Sequence, residues 1–504
     1  MHIHFFLGLA FFEENLAIVD EVKRRYGDKA KFSALVSARS HVVKMLDKRK
    51  GTSQEFYRYD WLSGLEKKWL ETPLDRDRLA EYEKMLGTDT IRRIITSDRE
   101  LGRGLVSGGI VEHTKLIELT NYNDEARWSY VVGLLDYCFD FYEKEKPDMV
   151  FMYCIAGAVA FTMAKVAEYL NVPYSQPVFA RVGDYQIVEM STDWMLRDVK
   201  SLYERALNDP LLIEDSRQEA ERFLNEFLSK PEMPVDTNFW IKKIMKEYSV
   251  LGMFRTFAMD VARWVLIKLG LKGTKGVFRQ RSGYSILASN LKKFVLMHYM
   301  LFFKKKYSVD EIVGDAPFLY FPLHVEPEMT TMVFADKITN QLAVIERISK
   351  SMPAGYKLIV KEHIPCIGKR PNGFYKAIER MPDVHLISPF SDSFELLKKC
   401  ALTVTITGTA CWESIMMGKY VYCDNLNDLE ASIKETLNTK PASKEKIVTY
   451  IASLIQSGFE LSMINIWFDG DHDQSRLQLA ASNIVDSMEA IIEKSLNDIE
   501  SKAS

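Results

Sequence analysis

Three groups of polar residues in the second half of the chain each follow a strand-like apolar run, and the first is His324, Glu326 and Glu328 after FLYFP. A histidine beside two carboxylates can exchange protons with a substrate or bind its hydroxyl groups. The alternative is a polar loop in which Pro327 and the acidic residues favour the start of a helix. The spacing alone leaves both interpretations open, and we take the three residues as catalytic candidates.

The second group consists of Lys361 and His363, directly after the run YKLIVK, with Arg370 close behind. Cationic and imidazole side chains at the end of a strand could bind a phosphate. A solvated loop is the alternative. The clustering of three such residues within ten positions favours the phosphate site.

The third group follows the run LTVTI and consists of Thr407, Gly408, Thr409 and Glu413. A glycine between a strand and a helix lets a ligand approach the backbone, and the free N–H groups of the helix start attract anions. Glu413, on the first turn of the helix, could contact a ribose. An ordinary strand-to-helix turn with a threonine cap is the alternative.

Alternating strand and helix patterns must position these groups. Runs such as MVFMYC and YKLIVK read as buried strands, and Thr330 to Ser351 reads as one amphipathic helix. Such alternation predicts an α/β fold with two doubly wound, Rossmann-like domains. In parallel sheets the carboxyl ends of the strands share one edge, where ligands bind.

The predicted division of the chain has four parts. They are a Rossmann-like domain at 1–195, a helical insertion or linker at 196–314, a second Rossmann-like domain at 315–440 and a helical segment at 441–504. A length of 504 residues is too great for one ordinary core.

The composition excludes some classes of function. The formal net charge of −3 argues against a nucleic-acid partner. The six cysteines form no CxxC pair, which is typical of free thiols in a reducing compartment. The N-terminal run HIHFFLGLA lacks a preceding basic residue and reads as a buried strand rather than a signal peptide. No run is apolar enough to cross a membrane. We expect a cytoplasmic protein.

The segments FPLHVEPE, VKEHIP, VHLISPFSDSFELL and TVTITGTACWESIMMGK resemble the capsule polysaccharide biosynthesis family, which includes the Kdo transferases of capsule assembly. The resemblance covers roughly residues 317–424 and implies a GT-B-like fold. Two departures from the family motifs are Glu326, where the family often has Gln, and Ile364, which separates His363 from Pro365.

Carried over to this chain, the resemblance makes Glu326 and Glu328 the acids of a QPE-like element and His363 the histidine of a His-Pro element near the nucleotide. It makes Thr407, Gly408, Thr409 and Glu413 the second half of the nucleotide cradle. It also implies that 315–440 is the nucleotide-sugar-binding domain, that 1–195 is the acceptor domain, and that the donor is CMP-linked, such as CMP-Kdo.

Three other features are weaker candidates. Arg181 follows a strand in the first half and could bind the acceptor, although a structural salt bridge explains it equally well. The acidic run Asp469 to Asp473 lacks EF-hand spacing and reads as a turn, so no metal site is predicted.

The basic and aromatic stretch 285–307 carries Lys292, Lys293 and Lys304 to Lys306 around an apolar centre, which suits an anionic membrane surface. The alternative is a helix buried between domains.

The expected function is transfer of a sugar, Kdo or a related acidic one, from a nucleotide donor to a surface polysaccharide or its lipid-linked precursor. The expected enzyme is metal-independent and uses no cofactor besides its donor, because helix dipoles and basic side chains can stabilise a leaving phosphate. We expect it to work at the inner face of the membrane without spanning it. The alternatives are a CDP-alcohol (glycerol or ribitol) phosphotransferase of surface polymers and a non-catalytic polysaccharide export or scaffold protein.

Overall fold

The structure is a computed structural model that describes residues 1–8, 11–37, 56–99, 101–102, 117–118, 124–192, 196–231, 242, 249–269, 280–281, 291–292, 294–296, 298–299, 308–326, 328–335, 338–367, 370–422, 429–463, 465–466 and 473–503. Its strands are, in chain order, β1 (His2–Leu7), β2 (Lys31–Val36), β3 (Phe56–Trp61), β4 (Met149–Met152), β5 (Tyr174–Phe179), β6 (Tyr185–Glu189), β7 (Phe318–Pro322), β8 (Lys357–Lys361), β9 (Val384–Ile387), β10 (Leu402–Val404), β11 (Val421–Tyr422) and β12 (Phe459–Glu460). A separate antiparallel pair joins Ile117–Glu118 to Gln280–Arg281.

The helices alternate with these strands. They are α1 (Phe12–Tyr26), α2 (Leu62–Glu71), α3 (Arg76–Leu86), α4 (Thr88–Thr96), α5 (Asp124–Glu145), α6 (Gly157–Tyr169), α7 (Arg197–Ala206), α8 (Glu214–Ser229), α9 (Val250–Lys268), α10 (Val309–Val313), α11 (Gln341–Ser351), α12 (Phe374–Glu379), α13 (Ser393–Lys399), α14 (Thr409–Met416), α15 (Leu429–Asn438), α16 (Lys444–Ser457) and α17 (Gln474–Ala503).

The first sheet has the order β12-β6-β5-β4-β1-β2-β3. Strands β1 to β5 are parallel, and their spatial order 3-2-1-4-5 is that of a Rossmann sheet. At one edge β6 pairs antiparallel with β5, and β12 pairs antiparallel with β6. Its central strands are buried on both faces, as in β4, where Val150 and Met152 pack in one core and Phe151 packs in the other. Helices α5 and α6 cover one face, and α1 and α17 cover the other.

The second sheet has the order β9-β8-β7-β10-β11, and every strand is parallel. This is again the order 3-2-1-4-5, with β7 as its first strand. Helices α11, α12 and α15 cover one face, and α10 and α13 cover the other. Two doubly wound Rossmann-like sheets in one chain confirm the predicted α/β, GT-B-like fold.

Helices that precede and follow the second sheet in the chain join the two domains. Helix α16 packs on α7 and α8, forming a core that also includes Met416 of α14. The last helix, α17, returns to the first domain and packs on α1, where Arg25 binds Asp486 and Glu489. No helix in the described ranges is both long and apolar enough to cross a bilayer.

One predicted helix is wrong in its extent. Instead of a continuous helix from Thr330 to Ser351, the chain forms a short π-helical turn at Thr330–Phe334 and then α11. Asn340 interrupts the pattern because its side chain accepts a hydrogen bond from the N–H of Ala343 and starts a new helix. The turn itself packs against the first domain through Val333.

Candidate functional site

The site is at the point of the second sheet where the strand order reverses, between β7 and β10. In open α/β sheets, the crevice at such a reversal is where ligands bind. His324 follows β7, and Thr405 to Gly408 follow β10. His363 follows the neighbouring strand β8, so all three predicted groups lie at the carboxyl edge of one sheet.

His324 joins the loops after β7 and β10. Its Nε2 lies 2.6 Å from the carbonyl oxygen of Thr407 and 3.0 Å from Oγ1 of Thr405. Burial lowers the pKa of His324 to about 4, so the imidazole is neutral at physiological pH. The N–H of Thr407 also donates a hydrogen bond to Nε2 at 3.1 Å, so the ring fixes the turn that leads into α14.

Gly408 opens α14 with φ 97 and ψ 177, a backbone conformation that side chains rarely allow. A Cβ at this position would lie 3.7 Å from the His324 ring, so backbone conformation rather than space requires the glycine. Gly408 is exposed, and the first N–H groups of α14 begin beside it. Thr407 Oγ1 is buried and has no hydrogen-bond partner within the described residues. The turn has the geometry that an anion site requires, and anion binding there stays a prediction.

Lys361 ends β8, and its ammonium group donates a hydrogen bond to Ser393 at the start of α13. The side chain is 9% exposed, and this burial lowers its pKa to about 8. Asp392 and Glu413 oppose that shift, which shows that both carboxylates are close to Lys361. An anion that binds beside a buried lysine with a lowered pKa stabilises its protonated form.

His363 is half-buried, and its Nδ1 is enclosed with no hydrogen-bond partner in the described parts of the chain. Burial lowers its pKa to about 4, against the effect of the Glu362 carboxylate. The charges of Lys361, His324 and Arg370 lower the pKa of His363 further, so these three side chains are in its neighbourhood. A neutral histidine with an unused ring nitrogen can form a hydrogen bond to a ligand oxygen.

Arg370 is 1% exposed and is held by other protein groups. Its Nε and Nη2 each donate to Glu362, both at 2.8 Å, and Nη2 also donates to the carbonyl of His324 at 2.7 Å. Tyr375 donates a further hydrogen bond to Glu362 at 2.7 Å. Although burial opposes it, Glu362 raises the pKa of Arg370 above its ordinary value. This buried ion pair connects the loops after β7 and β8.

Glu326 is fully buried and lies beside this ion pair. Its carboxyl accepts a hydrogen bond from Gln341 at 3.0 Å and lies 4.0 Å from Nη1 of Arg370. Burial raises the pKa of Glu326 to about 8, so the group is protonated near neutral pH. Gln341 also accepts a hydrogen bond from the His324 N–H at 2.7 Å. Glu326 therefore stabilises the loop from inside.

Glu328 has a different environment from Glu326, because it is exposed and lies against the first domain. Together with burial, its charge raises the pKa of Cys154, which follows β4. The adjacent Met329 contacts Cys154, with 3.0 Å between the two sulfurs. Of the two acids in this loop, Glu328 is the one beside the space between the domains.

Arg181, from the first domain, lies next to the anion site of the second. Its carbonyl accepts a hydrogen bond from Nε1 of Trp412 at 3.1 Å, and Trp412 is on the first turns of α14. Arg181 has φ 61, and its guanidinium lies over the ring of Phe179 at 5.0 Å. A second contact joins Arg93 to the carbonyl of Val333 at 2.7 Å. The two domains therefore meet at the edge that carries the site.

Several residues of the site were not found from the sequence, namely Gln341, Glu362, Tyr375, Ser393 and Trp412. Glu362 alone carried a signal, because it stands between Lys361 and His363. The structure shows no cluster of three or more potential metal ligands in the ranges it describes. Of the acidic run at 469–473, residues 469–472 lie outside those ranges, as do Lys293 and Lys304 to Lys306.

No protein-family model matches this chain, and no curated protein matches it. Several solved structures are similar to it. The UDP-GlcNAc 2-epimerase of Neisseria meningitidis, bound to UDP-GlcNAc, is 12% identical, with 99% of this chain and 100% of that chain covered and a TM-score of 0.24.

Two further structures match over nearly the whole chain. S. aureus MnaA, solved with UDP, is 13% identical, with 95% and 97% of the two chains covered and a TM-score of 0.23. Anabaena HepE, solved with UDP and glucose, is 10% identical, with 99% and 100% covered and a TM-score of 0.23. At such low identities and TM-scores, the activities of these proteins do not pass to this chain.

Proposed function

We propose that the chain is a glycosyltransferase that binds a nucleotide-activated sugar at the carboxyl edge of the second sheet. One observation carries the proposal: Lys361, His363 and the Gly408 turn converge where the strand order of a Rossmann-like sheet reverses. A cation, a neutral imidazole with an unused nitrogen and a helix N-terminus together match the phosphates of a nucleotide sugar.

The same groups would assist the reaction. Sugar transfer breaks the bond between the anomeric carbon and a phosphate oxygen, and negative charge develops on that oxygen. The N-terminus of α14 and the Lys361 ammonium can stabilise this charge without reorganising, because both are already fixed by the fold. Glu413, 8% exposed and near Lys361, is then placed to contact the ribose.

We assign different parts to the residues proposed as catalytic. His324 and Glu326 are buried and bound to neighbouring loops, so they would act as positioning residues, together with Arg370. Glu328 is exposed beside the first domain, and its carboxylate is a candidate base for an acceptor hydroxyl. Arg181 would lie on the acceptor side of the same crevice.

The acceptor would be a surface polysaccharide or its lipid-linked precursor, and the protein would work at the inner face of the membrane. The sequence resemblance to capsule polysaccharide biosynthesis proteins supports this reading and suggests a CMP-linked acidic sugar such as Kdo as the donor. A carboxylated sugar would add a second anionic group for the basic side chains of the crevice.

The test compares donors on the wild-type protein. Calorimetry with CMP, UDP and CDP identifies the nucleotide, and hydrolysis of CMP-, UDP- and CDP-linked compounds identifies the bond that is broken. Release of a free sugar supports glycosyl transfer. Cleavage of CDP-glycerol or CDP-ribitol alone would assign the phosphotransferase alternative, and no binding of any nucleotide would overturn the proposal in favour of a scaffold.

A further inference from the structure

Helix α9 presents a nonpolar stripe to solvent. Its exposed side chains recur at intervals of three and four residues, so they lie on one face. The nonpolar members of this stripe, including Leu269 just after the helix, are Leu251, Phe254, Ala258, Met259, Ala262, Val265, Leu266 and Leu269. Leu251 is 83% exposed and Phe254 62% exposed. Arg255 is exposed on the same face. A helix of 19 residues is about 28 Å long, so the exposed nonpolar side chains extend along its length rather than being scattered single residues.

A second helical stretch, within 291–299, has the same character. Leu291, Val295 and Tyr299 are exposed at intervals of four residues. On the other side, Lys292 donates a hydrogen bond to the carbonyl of Arg370 at 3.0 Å, and Leu296 packs on the core of the second domain. The donor-binding domain is therefore in direct contact with a helical stretch whose outer face is nonpolar.

The charge of this region is opposite to that of the rest of the chain. Residues 231–307 contain 15 Lys and Arg but only 4 Asp and Glu, a formal charge of +11, whereas the whole chain carries −3. The remaining residues contain 51 basic and 65 acidic side chains. Such a separation of charge favours a partner that is strongly anionic.

Basic residues are also close to α9 in the sequence. Lys242, Lys243 and Lys246 precede its first residue by eight positions or fewer, and Lys272 and Lys275 follow its last residue within seven. In the sequence, basic residues therefore flank α9 on both sides.

We propose that α9 lies in the plane of an anionic lipid bilayer, with its nonpolar stripe in the boundary between headgroups and acyl chains. The lysines and arginines around it would contact lipid phosphates. A second copy of this chain is a less suitable partner for the stripe, because two segments of charge +11 would repel each other. The inference rests on the proposed function, since a lipid-linked acceptor would lie at the same surface.

The test is co-sedimentation with vesicles of phosphatidylcholine alone or mixed with phosphatidylglycerol. Wild-type protein should bind the anionic vesicles and leave them in ~1 M salt, where the screening length falls to about 3 Å. Phe254→Glu combined with Leu266→Glu should lower vesicle binding by roughly tenfold or more, because two nonpolar side chains that would be buried in the bilayer are replaced by charged ones. Leu211→Glu combined with Leu479→Glu, two exposed leucines outside the segment, adds the same charge and should bind like wild type.

Nucleotide binding and thermal melting of each variant, measured without vesicles, separate this inference from the proposed function. The α9 variant should retain both, since the two substituted side chains are exposed to solvent. Equal binding of wild type to neutral and anionic vesicles, or to neither, would overturn the lipid assignment. So would a wild-type dimer, seen by analytical ultracentrifugation, that the α9 substitutions convert to a monomer. If the wild-type protein binds no nucleotide, the donor site is refuted and the vesicle result still stands.

Discussion

Replacing Lys361 with methionine should make the fold more stable at pH 7 and the donor site weaker. Burial lowers the pKa of this lysine from the ordinary 10.5 to about 8. At ~1.4 kcal/mol per pH unit, keeping the side chain protonated at pH 7 costs the fold about 3 kcal/mol. Methionine has a similar shape and no charge, so it removes this cost but also loses the hydrogen bond to Ser393, which leaves a gain of about 2 kcal/mol.

The pH dependence has opposite signs for stability and binding. Between pH 8 and 10.5 the unfolded chain holds the Lys361 proton and the folded chain does not, so this lysine makes the free energy of unfolding rise with pH. Binding of a phosphate requires the protonated form, so nucleotide affinity should fall as the pH rises above about 8. Lys361→Met should abolish both trends, and Lys361→Arg should keep affinity constant to higher pH.

Calorimetry and thermal melting from pH 6.5 to 9.5 (~7 points) measure both effects on one preparation. A lost charge-assisted contact of about 1.5–3 kcal/mol predicts that Lys361→Met weakens nucleotide binding about 10- to 150-fold. Lys357→Met is the matched control, because Lys357 is on the same strand at its amino end, where it binds the carbonyl of Ile312. If Lys361→Met binds nucleotide as tightly as wild type, Lys361 is not part of the donor site. If the variant melts at a lower temperature than wild type at pH 7, burial of the Lys361 charge does not destabilise the fold as inferred.

Four further changes test the remaining groups. His363→Ala should weaken donor turnover by roughly 1.5–3 kcal/mol with little change in melting temperature, since the side chain is half-buried in a loop; steady-state kinetics and melting decide it. Gly408→Val should abolish nucleotide binding, whereas Gly355→Val, with φ 83 and open space around it, imposes similar backbone strain away from the site and should bind normally by calorimetry. Arg370→Met should destabilise the fold by about 3–5 kcal/mol in denaturant titrations, because it leaves a buried carboxylate unpaired. Glu326→Gln should match wild type near pH 4.5 and become more stable than wild type as the pH rises to 7, because over that interval only the unfolded wild-type chain releases this proton; denaturant titrations at both pH values measure it.

The sequence predicted that the three candidate groups share one edge of a sheet, because the periodicity and the order of elements are local properties. An apolar run followed by polar residues indicates the end of a buried strand, and parallel strands place those ends at one edge. The runs before His324, Lys361 and Thr407 therefore sufficed to bring three groups together. The strand order was not accessible in this way, since pairing between β7 and β10 joins residues about 80 positions apart.

Burial of the charged residues was the part that the sequence could not predict. Glu326 and Arg370 stand among polar neighbours, which favours an exposed loop, yet they are 0% and 1% exposed. Their burial depends on partners elsewhere in the chain, chiefly Gln341 and Glu362. The same limit applies to the proposed membrane contact. The sequence pointed to the lysines at 292–306, whereas the exposed nonpolar stripe lies on α9, because tertiary packing determines which face of a helix remains in solvent.

The buried groups explain how the crevice can bind a charged donor in a fixed arrangement. Arg370 binds Glu362 and the carbonyl of His324, and the His324 ring in turn holds Thr407 at the start of α14. Each connection runs from one strand-end loop to the next, so the loops after β7, β8 and β10 are fixed relative to one another before a ligand arrives. Groups that are already oriented stabilise developing charge better than groups that must first reorganise. A substitution in this network should therefore lower turnover more than it lowers nucleotide affinity, whereas loss of Lys361 should lower both.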